Sequence, residues 1–399
     1  MHIQTDICII GDGAIGKTAA LGCAHAGLKV ALLSPAAAVQ TAHVGADDWD
    51  VRVYAVNHVA HTLLSSLKVW DALDAARVQA IDAMLVAGDG DQHAGKLAFD
   101  AYGAHVNALA WIVEDRNLNQ ALDTALKFSS KIQRVHGRAS ALQINALDAQ
   151  VQLENGDTLS AQLVVGADGG PSWVRSQCNI DLDYRPYGQR AIVANFSCAL
   201  PHCGAAYQWF SATQGVIALL PLPGQRVSLV WSAPEKLAQT LLQESATELA
   251  ARLAEFSMPE LGALTPLQPE TVRSFPLVLM RPHAITAPRV ALIGDAAHVI
   301  HPLAGHGMNL GFADVTALIA SLVAREPHRD CGDARVLARY ARSRKEDNLM
   351  MQMTTDGLAR LFASDFEPLR IVRNIGLNLV NGLPVLKRRL IGHALGKSR

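Results

Sequence analysis

The sequence predicts a mixed α/β fold, and three observations support this prediction. An apolar run, Ile7–Ile10, precedes glycines spaced as Gly11-x-Gly13-x-x-Gly16 and then an alanine-rich stretch. Two further apolar runs end in acidic turns, at Asp168 and at Asp295. Short β-like runs fill the stretch from Tyr184 to Pro276. Strands that alternate with helices indicate a parallel sheet, whereas consecutive short strands indicate a separate antiparallel sheet.

The first 34 residues predict a strand, a helix and a second strand. The helix runs to Ala26, Gly27 ends it, and Val30–Leu33 forms the second strand. In such a unit the first glycine of the motif permits a tight turn, the second lets backbone approach a pyrophosphate, and the third lets helix pack on strand. The context predicts a Rossmann-like dinucleotide-binding domain in which Gly11, Gly13 and Gly16 have these three roles.

The residue after the second strand departs from the usual dinucleotide-binding pattern. A carboxylate normally stands there and accepts hydrogen bonds from ribose hydroxyls, but this chain has Ser34. A neutral hydroxyl would hold the ribose less firmly. Asp47, Asp48 and Asp50 are the candidates to compensate.

Asp168 and Asp295 each follow a predicted buried strand directly. Residues 163–165 lead into Gly166-Ala167-Asp168-Gly169, and Val290–Ile293 leads into Gly294-Asp295. Either aspartate alone is explained as a cap of the following helix, which is the more frequent role. Two such turns in a chain that opens with a dinucleotide motif favour a shared cofactor.

A proline-containing loop and a glycine-rich helix start follow Asp295. A helix start exposes backbone N–H groups and attracts negative charge. Against a flavin ring, those groups would stabilise the negative charge that the ring gains on reduction, so the segment indicates redox chemistry. Its residues are His301, Pro302, Gly305, His306, Gly307, Met308 and Asn309.

The β-like runs and the spacing of the motifs predict a discontinuous domain organisation. Residues 1–75, 100–178 and 284–340 are assigned to the cofactor domain. Residues 76–99 and 179–283 are assigned to a β-rich substrate domain, in which one helix is predicted over Pro234–Phe256. Residues 341–399 are assigned to a C-terminal helical segment.

Composition excludes several classes of function. The formal net charge is −1, and no basic stripe alternates with aromatic residues, so nucleic acid is not an expected partner. The six cysteines include no C-x-x-C pair and the N-terminus resembles a strand, which predicts a reducing, cytoplasmic compartment. No window of about 18 residues is free of charges or breakers, so no membrane-spanning helix is expected.

The last 32 residues carry basic side chains and no acidic ones. Together with interleaved Leu, Ile and Val, they suggest a surface that rests on anionic lipid at the inner face of the cytoplasmic membrane, or on a protein of a biosynthetic complex. An ordinary terminal helix with solvated charges explains them equally well. The residues are Arg370, Arg373, Lys387, Arg388, Arg389, Lys397 and Arg399.

Taken in order, the motifs resemble those of the class A FAD-dependent aromatic monooxygenases. They are Gly11-x-Gly13-x-x-Gly16, Asp50-x-Arg52, Ile112-Val113-Glu114-Asp115, the Asp168-Gly169 turn with Ser172 and Arg175, and Gly294-Asp295-Ala296-Ala297-His298. Softer similarity, in Tyr187-x-Gln189, Leu219-Leu220-Pro221-Leu222, His301-Pro302-Leu303-Ala304-Gly305, Asp347-Asn348 and Thr355-Asp356-Gly357-Leu358, resembles the hydroxylases of ubiquinone biosynthesis.

This resemblance implies the fold of the flavoprotein monooxygenases typified by p-hydroxybenzoate hydroxylase (PHBH), an extended FAD, and NADPH or NADH as co-substrate. It also implies insertion of one oxygen atom of O₂ into a polyprenylated phenol or benzoquinol. The three motif glycines would face the pyrophosphate, and Arg52 and Arg116 would meet phosphate or flavin. Asp168 and Gly169 would lie where FAD and the nicotinamide approach, Asp295 would bind the ribityl chain, and residues 302–309 would line the flavin ring.

The family pattern is broken at Ser34, at Trp111, where glycine is usual, and at His306, where glutamine is usual. The last two are expected close to the flavin.

No catalytic residue is assigned with certainty. His301 and His306 are candidates to flank the flavin and tune its charge or that of a phenol, since a histidine pKa moves easily across neutrality. The favoured explanation of these two and His298 is that they cap the loop or hydrogen-bond to backbone. No carboxylate or cysteine stands beside them at ligand spacing, so no metal site is expected.

Tyr207, Trp209 and Phe210 are candidates for a substrate pocket, although aromatic residues in a strand more often belong to a core. Two alternatives to a ubiquinone-pathway hydroxylase stay open. One is a flavin monooxygenase that acts on a soluble phenolic compound. The other is a flavoprotein without turnover that serves as a structural member of a biosynthetic complex.

Overall fold

Three β-sheets and the helices that cover them form the computed structural model, which describes residues 2–35, 48–88, 95–256, 260–268, 272–301 and 306–363. The strands are β1 (His2–Ile10), β2 (Val30–Ser34), β3 (Val53–Val56), β4 (Val78–Ile81), β5 (Ala83–Ala87), β6 (Lys96–Asp100), β7 (Ala110–Glu114), β8 (Ile132–His136), β9 (Ala139–Ile144), β10 (Ala149–Leu153), β11 (Thr158–Gly166), β12 (Leu182–Cys198), β13 (Ala205–Ser211), β14 (Gly215–Leu222), β15 (Arg226–Pro234), β16 (Leu264–Pro266), β17 (Arg273–Pro282), β18 (Thr286–Ala287) and β19 (Val290–Leu292). The helices are α1 (Ala14–His25), α2 (His58–Ser66), α3 (Asp115–Lys127), α4 (Trp173–Gln177), α5 (Glu235–Leu241), α6 (Ala246–Ala254), α7 (His306–Val323) and α8 (Ala334–Ala363).

The first sheet has the order β18-β19-β11-β1-β2-β8, and the pairs from β19 to β8 are parallel. Both of its faces are covered, because alternate side chains of β1 belong to different buried clusters. Ile7 and Ile9 face the cluster that includes α1, α3 and α7, whereas Cys8 and Ile10 face the other side. Burial on both faces explains why its strands are continuous apolar runs.

The second sheet has the order β16-β12-β15-β14-β13-β5-β6, with β17 also paired to β12. Its pairs are antiparallel except β13 with β5. One face packs against α5 and α6 around Trp231 and Phe196. A small third sheet, β3-β7-β4, packs over β14, so it lies between the second sheet and the cofactor-binding strands.

Several local predictions are confirmed. The predicted hairpin exists as β10 and β11, and its turn residue Gly156 has the positive φ of 85° that glycine permits. The mixed α/β class and the parallel first sheet also agree with the prediction. None of the helices in the described part of the chain has the combined length and apolar character needed to cross a bilayer.

The single helix predicted over Pro234–Phe256 is wrong, because the structure has two helices there. α5 ends at Leu241, and Ser245 starts α6 by accepting a hydrogen bond from the Glu248 backbone N–H while the Glu248 side chain accepts from the Ser245 N–H. This reciprocal capping box favours a new helix start over continuation. Farther along, α8 is continuous across residues 340 and 341, where the C-terminal segment was predicted to begin.

Candidate functional site

Three turns lie together at one edge of the first sheet. β1, β11 and β19 are neighbouring parallel strands, with Ile10 opposite Gly166 and Gly166 opposite Leu292. The turns that follow them hold Gly11, Asp168 and Asp295. Ligands of open parallel sheets bind at this carboxyl edge. The fold therefore brings the dinucleotide motif and the two acidic turns to the same place.

A cavity of about 650 Å³ opens beside this edge, between the cofactor-binding strands and the second sheet. Its wall includes many of the residues predicted to hold a cofactor: Gly13, Arg52, Gly169, Asp295, Gly307, Met308 and Asn309. The remaining wall is mostly apolar and is described below. Predicted site residues and a large apolar space thus share one chamber.

The glycines of the dinucleotide motif have different surroundings. A Cβ atom on Gly16 would lie 1.9 Å from the carbonyl oxygen of Gly11, and a Cβ atom on Gly11 would lie 2.2 Å from that of Ala167. These two glycines are required by close backbone packing. By contrast, Gly13 stands at the N-cap of α1, and a Cβ atom there would meet nothing within 4 Å. Gly13 therefore faces the space available to a ligand.

Asp168 has one oxygen in use and one without a partner. Its Oδ2 accepts a hydrogen bond from the backbone N–H of Val174 at 3.0 Å, which caps α4. Its Oδ1 is buried and finds no hydrogen-bond partner among the described residues. Asp168 itself is not in the cavity wall, whereas its neighbours Ala167 and Gly169 are. A buried carboxylate oxygen without a donor is costly, so a donor from a bound ligand would relieve that cost.

Asp295 points into the cavity. The surrounding protein partly desolvates the carboxyl and raises its pKa, while His298 and Arg52 act in the opposite direction. Gly294, with a φ of 61°, makes the turn that presents Asp295. The carboxylate is therefore placed to accept hydrogen bonds from a ligand in the cavity.

The two predicted arginines differ in placement. Arg52 lines the cavity, and its guanidinium lies 5.7 Å from the centre of the Phe275 ring. Arg116 is outside the cavity wall, because its Nη2 donates to the backbone oxygen of Asp48 at 2.8 Å and its N–H donates to Asp50. Arg116 thus fixes the loop before β3, and its expected contact with a phosphate or the flavin stays a prediction.

Ser34 ends β2 as predicted but does not reach the cavity wall. It is buried, and its Oγ lies 3.4 Å from Nδ1 of His136 on the neighbouring strand. Asp48 and Asp50, two of the candidates to replace the missing carboxylate, are held by Arg116, and Asp47 lies outside the described residues.

A buried ionic network stands behind the Gly294-Asp295 turn. Oδ2 of Asp314 accepts hydrogen bonds from the Gly294 N–H at 2.9 Å and from Nε2 of His298 at 2.6 Å. Burial alone raises the pKa of Asp314, but His298 and Arg344 hold it below its usual range. Burial alone lowers the pKa of His298, but Asp314 raises it above its usual value. The network holds the backbone that presents Asp295.

Sequence reasoning missed this network. A lone carboxylate in an otherwise apolar helix, Asp314 in α7, was the available signal. Its partner Arg344 lies on α8, and no local pattern pairs the two. Several polar residues that line the cavity were also not predicted as site residues, among them Tyr54, Asp115 and Asn119. Tyr54 Oη donates to Asp115 Oδ1 at 2.8 Å, and the Asn119 amide donates to the same oxygen at 2.9 Å.

The start of α7 lies against the turn between β3 and α2. Asn309 Nδ2 donates to the Ala55 carbonyl at 2.7 Å, and Asn309 Oδ1 accepts from the Asn57 N–H at 3.0 Å. Its side chain is thus committed to the protein, while Gly307 and Met308 line the cavity. Pro302 and Gly305 lie outside the described residues, as does the side chain of His306.

His301, a catalytic candidate, is not part of the cavity wall. Its Nε2 pairs with Oε1 of Gln189 at 2.8 Å, and its ring packs edge-on against Tyr187. Burial lowers its pKa to about 4, so it is neutral at physiological pH. The expectation that His301 flanks the flavin stays a prediction. Its neighbours Val299 and Ile300 line the cavity instead.

Aromatic residues are divided between the cavity and the protein interior. Trp111 stacks on His61 with ring centres 4.3 Å apart and is not in the cavity wall; its expected closeness to the flavin stays a prediction. Of the three pocket candidates, Tyr207 lines the cavity. Phe210 belongs to a buried cluster, and Trp209 packs against another.

Within the described ranges, no group of three or more histidine, cysteine, aspartate or glutamate side chains is placed to hold a metal ion.

Comparison with known proteins identifies the family. Residues 4–353 match the family model described as an FAD binding domain. The chain is 36% identical over 398 residues to the 3-demethoxyubiquinol 3-hydroxylase of Escherichia coli strain K12, covering 98% of each chain. It is 34% identical over 396 residues to the ubiquinone hydroxylase UbiL of Rhodospirillum rubrum, covering 98% of this chain and 89% of the relative.

A solved structure agrees in fold. The crystal structure of PqsL, described as a probable FAD-dependent monooxygenase of Pseudomonas aeruginosa, superposes with a TM-score of 0.77. It is 21% identical and the match covers 94% of this chain and 100% of that one.

The cavity fits FAD on its own geometry. Gly13, Gly169 and Gly307 line it, and a Cβ atom on any of them would meet nothing within 4 Å, so backbone is open to a large ligand. Asp295 points inward, and Asp168 has a buried oxygen without a donor. The parallel sheet, this cavity and the match over residues 4–353 lead to one conclusion: the chain belongs to the FAD binding domain family and is an FAD-dependent monooxygenase.

Proposed function

We propose that this protein hydroxylates the aromatic ring of a polyprenylated phenol or benzoquinol in ubiquinone biosynthesis, consuming O₂ and NADPH or NADH. The two bacterial relatives support the pathway, since one is a 3-demethoxyubiquinol 3-hydroxylase, the other is a ubiquinone hydroxylase, and both match almost the whole chain.

The observation that carries the proposal is the length of the apolar wall of the cavity. Each of the strands β17, β12, β15, β14, β13, β5 and β6 contributes at least one lining residue. Adjacent strands lie about 4.8 Å apart, so this wall extends roughly 25–30 Å across the sheet. A single phenolic ring would use a small part of that length. The lining residues are Phe275, Leu277, Ala191, Val193, Val230, Ala218, Leu220, Tyr207, Gln208, Met84 and Phe99.

This length favours a substrate with a hydrocarbon tail over a soluble phenolic compound. An isoprenoid tail offers apolar surface, and its burial contributes about 25 cal/mol per Å². A small polar phenol would leave most of the wall without contacts.

Bound FAD, once reduced by a nicotinamide, supplies the activation of O₂ that oxygen insertion requires. The protein's own residues would bind the cofactor and orient it. Gly13 and Gly169 offer open backbone, Asp295 accepts hydrogen bonds, and Arg52 brings a positive charge to the same wall. Asp168 would gain a donor for its free oxygen.

Exclusion of water is the second task of the site. Aliphatic and aromatic side chains from β12, β14, β15 and β17 form the wall that faces the cofactor-binding residues. A filled apolar chamber keeps bulk water from the reacting centre. A phenol ring is activated by its own hydroxyl group, so the mechanism places little demand on an acid or base from the protein.

The test uses purified protein loaded with FAD. Oxidation of NADPH and of NADH is measured with a polyprenylated phenol and with the same ring bearing a methyl group in place of the tail, and products are identified by mass spectrometry. We expect a yellow protein that adds one oxygen atom to the tailed compound and prefers it strongly. Equal rates for the two compounds would favour the soluble phenolic substrate, and a colourless protein that rejects FAD would favour the structural role.

The position of the substrate in the pathway is tested in cells that lack the protein. We expect a quinone intermediate that is short of one hydroxyl group to accumulate. The basic C-terminal segment lies outside the described residues, and its contact with a membrane surface or a protein partner is part of the proposal.

A further inference from the structure

Gln208 on β13 is a polar residue in the apolar wall of the cavity. Its neighbours two positions away, Ala206 and Phe210, are buried apolar residues on the same face of the strand. Across the sheet it is paired with Ala218 on β14 and Val86 on β5. These neighbours on the same face have no side chain that could form a hydrogen bond with the Gln208 amide. Local packing therefore does not explain why a glutamine stands here.

The Gln208 side chain faces the cavity. Strand neighbours in register share one face, and the row Gln208, Ala218, Val230 and Val193 lines the cavity throughout. Gln208 is 95% buried, at 5% relative exposure. Its amide forms no hydrogen bond with any group in the part of the chain that the structure describes.

The position of β13 brings Gln208 near the cofactor side. The third sheet packs over β14, the direct neighbour of β13, and contributes Ile81 and Ala110 to the cavity wall. Its strand β3 is bound to the start of α7 through Asn309. Gln208 therefore lines the same cavity as the residues that would hold the flavin, among them Asp295 and Gly307.

A ligand that fills this chamber expels its water, and the Gln208 amide then needs a new partner. A hydrocarbon tail cannot provide one. A ring hydroxyl or quinol oxygen can, because a carboxamide both donates through its NH₂ group and accepts through its oxygen, as a hydroxyl does.

We propose that the Gln208 carboxamide binds an oxygen substituent of the substrate ring and so determines how the ring is oriented beside the flavin. This inference deepens the proposed function and rests on it for the nature of the substrate. Gln208 is a specificity-determining residue in this proposal, and no proton transfer is assigned to it.

The test compares two probes that differ by one hydroxyl group, 2-geranylphenol and geranylbenzene. Each is titrated into the FAD-loaded protein, and binding is followed by the change in flavin absorbance. The wild-type protein is expected to bind the phenol roughly ten to one hundred times more tightly than the hydrocarbon. Gln208→Met, which keeps the length of the side chain and removes its polar atoms, is expected to bind the two probes with nearly equal affinity.

Val230→Ala is the matched control, since it alters the same row of the wall without changing a hydrogen-bonding group. It should weaken the binding of both probes and preserve the ratio of their affinities. Gln208→Leu repeats the comparison with a second apolar side chain, so a folding defect in one variant does not decide the result. If the Met and Leu variants keep the wild-type ratio, Gln208 is only structural and the proposal is overturned.

The two proposals fail in different ways. If the affinity ratio depends on Gln208 but no probe or tailed phenol is hydroxylated, the contact is supported and the proposed reaction is wrong. If hydroxylation proceeds and the ratio does not depend on Gln208, the reaction is supported and the contact is wrong.

Discussion

The Arg344 Nε donates a hydrogen bond to Oδ1 of Asp314 at 2.8 Å, and both side chains are sealed from solvent. The other oxygen of Asp314 holds the backbone N–H of Gly294, directly before Asp295. One carboxylate therefore connects α8 to the turn that presents Asp295 to the cavity. We therefore expect a loss of this carboxylate to affect both the stability of the fold and the affinity for FAD.

Replacing Asp314 with Asn should weaken both properties. The variant keeps the shape of the side chain but leaves Arg344 without its buried counter-charge, which costs about 3–5 kcal/mol of unfolding free energy. It should also lower the affinity for FAD, because the Gly294-Asp295 turn loses a charged hydrogen-bond acceptor. Urea unfolding and a fluorescence titration with FAD measure the two effects.

Asp347→Asn is the control for this prediction. Asp347 accepts from Nη1 of the same arginine but is largely exposed, so its loss should cost less than about 1 kcal/mol and leave FAD affinity unchanged. Equal effects of the two variants would show that the buried position of Asp314 has no special importance.

Substitution by alanine should affect the stability of the FAD-free protein at Gly16 but not at Gly13. Gly16→Ala places a methyl group 1.9 Å from the Gly11 carbonyl oxygen, so the FAD-free protein should lose about 1–3 kcal/mol or more. Gly13→Ala meets nothing in the protein and has an ordinary φ of −66°, so the FAD-free protein should change by less than about 0.5 kcal/mol.

FAD affinity completes this comparison. The Gly13→Ala methyl group would occupy space that the cofactor's phosphates need, so FAD should bind at least tenfold more weakly to a protein of normal stability. Unfolding curves without FAD and dissociation constants with it provide the data. Unchanged FAD affinity in Gly13→Ala would mean that the open space beside Gly13 is not used by the cofactor.

His301 should make the protein sensitive to mild acid. Burial lowers its pKa from 6.5 to about 4 in the folded state, so the unfolded chain binds the extra proton first as pH falls. Its contribution to stability is complete above pH 6.5 and is lost as pH falls from 6.5 towards 4, by up to about 3 kcal/mol.

Unfolding free energies of wild type and His301→Gln at several pH values test this. The stability difference between them should shift in favour of the variant as pH falls through this window, because glutamine does not titrate. A pH-independent difference between wild type and His301→Gln would indicate that His301 titrates normally.

The sequence predicted the carboxyl edge of the first sheet because its signals are local. Gly11 and Gly294 are needed by the backbone of their own turns, and an apolar run before each turn identifies the strand. Adjacent parallel strands then necessarily bring Asp168 and Asp295 to one edge. Short-range chemistry and one topological rule were sufficient.

Other features depend on contacts between distant segments. Arg116 binds Asp48, 68 residues away, and Asp314 binds Arg344 on another helix. Trp111 packs on His61 because β7 lies beside α2, which no sequence period reveals. The polar character of Gln208 is visible in the sequence, but its isolation in an apolar wall depends on the pairing of β13 with β14 and β5.

A bulkier side chain at one side of the apolar wall should exclude the hydrocarbon tail of the substrate while leaving the site for its ring intact. Ala191 on β12 and Met84 on β5 both line the cavity and lie on opposite sides of β13 and β14. Ala191→Phe and Met84→Trp each add bulk to one side of the chamber. One of them should lower kcat/KM for a polyprenylated phenol by at least tenfold, because a rigid wall rejects added volume.

The same variant should keep its FAD spectrum and act on the methyl-substituted ring at close to the wild-type rate, and the variant on the other side serves as its control. Rates with a series of tail lengths would show the length at which the blocked side begins to matter. If neither variant distinguishes tailed from tailless rings, the long apolar wall does not hold the tail, and the main support for a polyprenylated substrate is lost.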